Sequence, residues 1–250
     1  MANYGTFYGI GVGPGDPDLL TIKAARVLNN TPVICVPKSA EEAGSLALSI
    51  IEKHVDLDGH EIVELLMPMT KDQEVLRQAR ETAAETILAH LRQGRDCAFI
   101  TIGDPLFYST FSYLMALVEE REPQVWIEVI PGISSVMASA AATRIPLTEA
   151  DERLAVIPAT YGMEKIREAL ERFETVVLMK LNRVFDDVCG LLDEMGLLER
   201  AHLISRCGHE QQMLCKSLEG LKGTKIDYMT IMIVKSNGRH TGENRCPEVA

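Results

Sequence analysis

Apolar and polar positions alternate along this chain in two registers, and the registers trade places. Thr6–Val12 is apolar, with β-branched and aromatic residues, and predicts a strand; Leu19–Leu28 has helical spacing and predicts a helix. Val33–Val36 is a short continuous apolar run, the pattern of a strand buried on both faces. Helix over Gly44–His54 and strand over Glu61–Leu66 follow. The clearest helix carries Val75, Ala79, Ala83, Ile87 and Leu91 at every fourth position, with Thr70–Gln73 as its expected capping box and Gly94 at its end. Strands are then expected at Asp96–Ile102 and Ile127–Ile130, and helices at Tyr108–Glu120 and Ser134–Thr143.

Arg144–Thr148 interrupts the pattern, which resumes with strand Ala155–Ile157, helix Met163–Glu171, strand Val176–Met179, helix Val184–Met195 and strand His202–Ser205. Two further strands, Met213–Ser217 and Met229–Lys235, close the series without helices of their own. Alternation of strand and helix predicts an α/β protein of two domains. The first, 1–143, has a largely parallel sheet; 144–150 is a linker; the second, 151–235, has a mixed sheet; 236–250 is a polar tail.

Composition narrows the function. Hydrophobic residues make up 46% of the 250 residues and aromatic ones 5%, so aliphatic side chains fill the cores. A formal net charge of −11 argues against a broad nucleic-acid surface, which needs clustered Lys and Arg. The six cysteines have no C-x-x-C spacing, no metal-ligand set is visible, and Cys35 and Cys97 sit in apolar runs as reduced thiols do in a cytoplasmic protein. The N-terminal stretch lacks the pattern of a signal peptide, and no apolar run has the length of a membrane span.

Three turns at strand ends carry the chemistry. GIGVGPGDPDLLT, from Gly9 to Thr21, follows the first strand. It fits neither phosphate-binding pattern. Asp16 stands where a dinucleotide fold needs its third glycine, Pro14 has no N–H to donate, and no G-K-[ST] follows. Asp16 and Asp18 at the helix start would repel a phosphate, and the second strand ends in Val36-Pro37-Lys38 rather than an acid. A nicotinamide-dependent oxidoreductase is therefore disfavoured. IGDPLFYST, from Ile102, follows the fourth strand and VIPGISS, from Val129, the fifth. Ligands of open parallel sheets bind at the carboxyl ends of strands.

In that order and spacing, GVGPGDPDLLT, GDPLFYST and VIPGISS resemble the tetrapyrrole methylases, over about Phe7 to Val234. The opening, with Val36-Pro37 after the second strand, is most similar to the precorrin-2 / cobalt-factor II C-20-methyltransferases of cobalamin biosynthesis. The resemblance implies a homodimer, two α/β domains with an active-site cleft between them, and S-adenosylmethionine as methyl donor, released as S-adenosylhomocysteine. It implies a tetrapyrrole substrate and neither nucleic acid nor membrane as partner. Carried over position by position, the donor contacts are Pro14, Ile102, Gly103, Asp104, Phe107, Ser134, Ser135, Met179, Cys207, Thr230 and Ile231. Met179 is followed by Lys180 where some relatives have glycine, and Thr230-Ile231 replaces a frequent Pro-Ala.

The implied nucleophile is the C-20 meso carbon, which leaves one proton to remove. Asp104, Tyr108, Tyr113 and His209 are candidate bases, and the sequence does not choose among them. Lys38, Arg144, Arg153 and Arg206 are candidates for the substrate's carboxylates. Methylation at another tetrapyrrole carbon, of the uroporphyrinogen III or precorrin-4 type, and a non-catalytic tetrapyrrole-binding module are the alternatives.

Overall fold

The computed structural model describes residues 4–40, 44–215 and 218–236. Contacts divide the chain into a first unit ending at Ser134 and a second beginning at Ser135.

The first unit holds strands β1 (Phe7–Gly11), β2 (Val33–Lys38), β3 (Glu61–Leu66), β4 (Cys97–Thr101) and β5 (Ile127–Ile130). All pair in parallel, in the order β3-β2-β4-β1-β5. Its helices are α1 (Ile22–Leu28), α2 (Leu46–Ile51), α3 (Gln73–Leu91) and α4 (Phe111–Arg121). Successive strand residues point to opposite faces. Phe7, Val33, Cys35, Cys97 and Phe99 pack with the buried stripes of α3 and α4. Ile10, Ile34, Val36, Ala98 and Ile100 pack on the other face with α1 and α2. The helix after β1 and the helix after β4 thus leave to opposite faces, so the β1/β4 boundary is the topological switch point of the sheet.

Helix starts differ from the sequence pattern where side chains compete for backbone amides. Asp72, not Thr70, caps α3, its carboxylate accepting from the Glu74 and Val75 N–H groups; Thr70 instead accepts from the Asp72 N–H. After β1, Asp16 accepts from the Asp18 N–H and caps a single 3-10 turn, Pro17–Leu19. Leu20 is extended there, so α1 begins only at Ile22, capped by Thr21.

The second unit opens with α5 (Ser135–Thr143) and continues through β6 (Leu154–Pro158), α6 (Met163–Arg172), β7 (Thr175–Met179), α7 (Phe185–Glu194), β8 (Ala201–Ser205), β9 (Met213–Cys215) and β10 (Thr230–Val234). Its mixed sheet runs β6-β7-β10-β8-β9. β10 lies antiparallel between β7 and β8, and β9 pairs with β8 at the edge, so the last two strands are not neighbours. The unbroken apolar run TIMIV suits β10's central place, where every residue is buried.

The boundary between units falls before α5 rather than after Thr143, because α5 packs on β8 and β10. The segment 144–150 is likewise no free linker. Ile145 and Leu147 are buried, and a buried ion pair between Lys235 and Glu152 (2.7 Å) anchors it, with Lys235 Nζ also donating to the Pro146 carbonyl. The expected tail begins in structured chain. Ser236 is buried, and its hydroxyl donates to the Phe173 carbonyl. The rest of the tail, Cys246 and the end of the strand expected to reach Ser217 lie outside the described residues. Cys35, Cys97, Cys189 and Cys207 are free thiols, and burial pushes the Cys189 thiol up to about 11. No helix among the described residues is long and apolar enough to cross a membrane.

Candidate active site

The three glycine turns meet at the carboxyl ends of β1, β4 and β5, and they meet backbone to backbone. The Gly103 N–H donates to the Gly13 carbonyl at 2.7 Å, and the Gly13 N–H returns the bond to the Gly103 carbonyl at 3.4 Å, an antiparallel bridge across the switch point. A Cβ on Gly11 would lie 2.4 Å from the Gly103 carbonyl oxygen and 2.6 Å from the Gly132 nitrogen. One on Gly132 would lie 2.0 Å from the same oxygen. Side chains are excluded at Gly11 and Gly132 because three backbones occupy the space. Gly103 differs. It needs φ +74°, but its Cβ would point into room bounded only by the Ser134 Cα at 3.8 Å.

Asp104 locks the second turn to the third. One carboxylate oxygen accepts from the Leu106 N–H (2.9 Å) and the other from the Gly132 N–H (3.1 Å). Each oxygen thus accepts one backbone N–H, which ties the two turns together. Around it stand Ile102, Leu106, Phe107 and Tyr108, all substantially exposed, with Phe107 and Tyr108 in an edge-to-face pair at 5.0 Å. Tyr108 has φ +53°, a conformation that costs a bulky side chain of order 1–3 kcal/mol. Pro14 is buried behind the first turn, and Ser134 is half-buried after the third. The first unit therefore gathers Pro14, Ile102, Gly103, Asp104, Phe107 and Ser134 at one rim.

In the second unit, Met179 at the end of β7 stands in register with Ile231 of β10, and Thr230 with Ser205 of β8. The Thr230 hydroxyl donates to Ser205 Oγ at 3.1 Å, and both Thr230 and Ile231 are buried in the sheet. Cys207 follows two residues after Ser205 and is buried; burial pushes its thiol up, against a hydrogen bond with Ser139 that pulls it down. Ser135 opens α5. Met179, Cys207, Thr230 and Ile231 share one end of this sheet, with Met137 and Tyr228 exposed in the same unit.

The remaining candidates separate by their partners. His209 lies in the turn after β8, and its Nε2 is buried without a hydrogen-bond partner among the described residues. Tyr113, in the first turn of α4, lies under the Arg80 guanidinium, 3.6 Å from the ring centroid. Lys38 pairs with Glu64 (3.0 Å) on the neighbouring strand. Arg206, at φ +49°, pairs with Asp227 (2.8 Å) and bonds Gln211. Burial draws the Asp227 carboxyl up, but the Met229 amide and Arg206 hold it below the usual carboxylate range. Arg144 is exposed, at φ +57°, and forms no ion pair among the described residues.

Arg153 stands apart. It precedes β6, at the opposite end of the second sheet from Met179, and its guanidinium is bound to Glu174 and to the Arg172 carbonyl. The Arg153 side chain, with its backbone N–H, lowers the Glu174 carboxyl from its ordinary 4.5 to about 2. A depressed carboxylate favours the fold above the ordinary value and loses that contribution as pH falls toward 2. In Arg153→Gln, a titration of Glu174 followed by NMR should have its midpoint move upward toward 4.5; an unmoved midpoint would refute the pairing.

The turns fit the donor chemistry better than a phosphate. Pro14, Ile102, Gly103, Phe107 and Ser134 bring no cationic side chain to the rim, the Gly103 Cα is open, and the carboxylate of Asp104 beside it is negative. An adenosine bearing a sulfonium suits such a surface; a diphosphate does not.

Comparison with known proteins identifies the family and the fold. Residues 6–221 match the family model of Tetrapyrrole (Corrin/Porphyrin) Methylases. The chain is 38% identical over 233 residues to a probable cobalt-precorrin-2 C(20)-methyltransferase of Methanocaldococcus jannaschii, covering 91% of this chain and 95% of that protein. It is 33% identical over 201 residues to the cobalt-precorrin-2 C(20)-methyltransferase of Salmonella typhimurium, covering 80% and 83%. Among solved structures, the uroporphyrin-III C-methyl transferase of Thermus thermophilus, complexed with S-adenosylhomocysteine, shares the fold with a TM-score of 0.65 at 22% identity, covering 92% of this chain and 97% of that one. A chain matched by this family model over most of its length, with close-length relatives named as methyltransferases, belongs to the tetrapyrrole methylases.

Proposed function

We propose that this protein transfers a methyl group from S-adenosylmethionine to C-20 of precorrin-2 or its cobalt-loaded form in cobalamin biosynthesis. One observation carries the reading: three strand-end turns, zipped by backbone bonds at the switch point, present a small-residue, cation-free rim in a chain whose full-length relatives are named for C-20 methylation.

When bound, the donor supplies an already activated methyl group on its sulfonium. On the first unit, Pro14, Ile102, Gly103, Phe107 and Ser134 would hold it. What this chain contributes is alignment, which can supply about 7–11 kcal/mol of a barrier. Rigidity serves that end. The Gly13–Gly103 bridge and the Asp104 carboxylate fix the turns to one another before any ligand arrives. The exposed Leu106, Phe107 and Tyr108 offer an apolar surface to a flat macrocycle and keep water from it. Of the candidate bases for the C-20 proton, Asp104 already accepts from two amides and Tyr113 lies under Arg80, which weighs against these two. The family resemblance further implies a cytoplasmic homodimer, which light scattering on the purified protein would check for mass.

The test is turnover with substrate choice. With S-adenosylmethionine, cobalt-precorrin-2 or precorrin-2 should gain the mass of one methyl group, and uroporphyrinogen III should gain none. Methylation of uroporphyrinogen III in their place would move the enzyme to a sibling reaction. Binding of the macrocycle without any mass gain would make the chain a carrier.

A further inference from the structure

We propose that Arg80, stacked on Tyr113, holds a peripheral carboxylate of the tetrapyrrole and is a substrate-positioning residue. The proposal rests on the reading that the substrate is a tetrapyrrole, which carries acetate and propionate arms.

Arg80 occupies an unusual place for a cation. It lies on α3 one turn before Ala83 and Ala84, on the stripe that becomes the buried face, and it is itself half-buried. An arginine there would ordinarily find a carboxylate, and this chain has 36 of them against 25 Lys and Arg. The carboxylates of the same helix are taken. Arg77 binds Glu74 and Glu81, while Arg92 and Arg121 bind Glu85. Among the described residues, Arg80 makes no ion pair or hydrogen bond; its one recorded partner is the Tyr113 ring.

That partner leaves the useful part of the guanidinium open. Stacking occupies one face of the plane, whereas the N–H donors point outward in the plane, in the fork that matches a carboxylate. The ring also fixes the orientation of the fork before the ligand arrives. Tyr113 stands in the first turn of α4, immediately after the turn that exposes Leu106, Phe107 and Tyr108 at the carboxyl end of β4. An apolar surface followed by an oriented, uncommitted cation matches a macrocycle with acidic arms. The net charge of −11 gives such a ligand no long-range attraction, so a local cation matters more. Lys38, Arg153 and Arg206 are each already neutralised by a carboxylate.

Steady-state kinetics on Arg80→Gln, Arg80→Lys and Tyr113→Leu test this, with KM read separately for cobalt-precorrin-2 and for the donor. Loss of a charge-assisted bond should raise the tetrapyrrole KM about tenfold in Arg80→Gln, with the donor KM and thermal midpoint unchanged. Arg80→Lys should fall between wild type and Arg80→Gln, and Tyr113→Leu should raise the same KM less. An absorbance titration with cobalt-factor II reads binding directly and should rank the variants alike. A tetrapyrrole KM within twofold of wild type in Arg80→Gln overturns the proposal alone. So does a donor KM or thermal midpoint that moves with it, the mark of a structural role. A wild-type protein that neither methylates nor binds the macrocycle overturns the functional reading, and this proposal with it.

Discussion

Gly132→Ala should destabilise the protein by about 3 kcal/mol or more and abolish donor binding, although it adds one methyl group. The new Cβ would stand 2.0 Å from the Gly103 carbonyl oxygen and 2.8 Å from the Gly11 Cα, so the third turn must move. It cannot move alone. The Gly132 N–H donates to Asp104, and Gly103 is bridged to Gly13, so displacement opens bonds in all three turns. Gly103→Ala is the control. Its Cβ meets only the Ser134 Cα at 3.8 Å, and the cost is that of a non-glycine residue at φ +74°, about 1 kcal/mol. Urea denaturation should therefore separate the two by about 2 kcal/mol or more, with calorimetry detecting donor binding in neither Gly132→Ala nor the bulkier Gly103→Leu. Equal stability of Gly132→Ala and wild type would show that the turns are not packed as described.

Glu152→Ala should cost about 3–5 kcal/mol, because it leaves the Lys235 ammonium buried without its counter-charge. The two side chains are only 4% and 5% exposed, which places this pair in the buried class rather than among the weak surface pairs. The Glu152 carboxylate also accepts from the Glu149 N–H, so the 144–152 segment loses an internal tie as well. Replacing both partners, as Glu152→Leu with Lys235→Met, should recover most of the loss, since the desolvation cost goes with the charges. Chemical denaturation of the two single variants and the double variant gives the coupling directly. A double variant no more stable than Glu152→Ala would contradict the account.

What the chain reveals by itself is set by the range of each interaction. β3 and β5 occupy the residues their apolar runs mark, because strand burial is written locally as a side-chain pattern. Pairing order is not local. β10 enters between β7 and β8, across a separation no periodicity records, and the sequence pattern places it only last. The same limit applied to α5, which reads as the end of the first domain and packs in the second. At the site, the motifs located the three turns, and the missing third glycine and Pro14 rejected phosphate. They did not show that Gly11 and Gly132 exist for each other and for Gly103 rather than for a ligand. Nor did they show which cations are spent. Lys38, Arg153 and Arg206 look open in sequence and are paired in space, while Arg80 looks like one more helix-surface charge and, like Arg144, makes no ion pair among the described residues. A hint was present: Arg80 falls on the stripe of Ala83, Ala84, Ile87 and Leu91, where a cation is out of place.

The position of the transferred methyl group decides the central claim. Incubation of the protein with 13C-methyl-labelled S-adenosylmethionine and cobalt-precorrin-2, followed by NMR of the product, should give a single enriched methyl resonance coupled to C-20. Enrichment at any other ring carbon, or none, would contradict it.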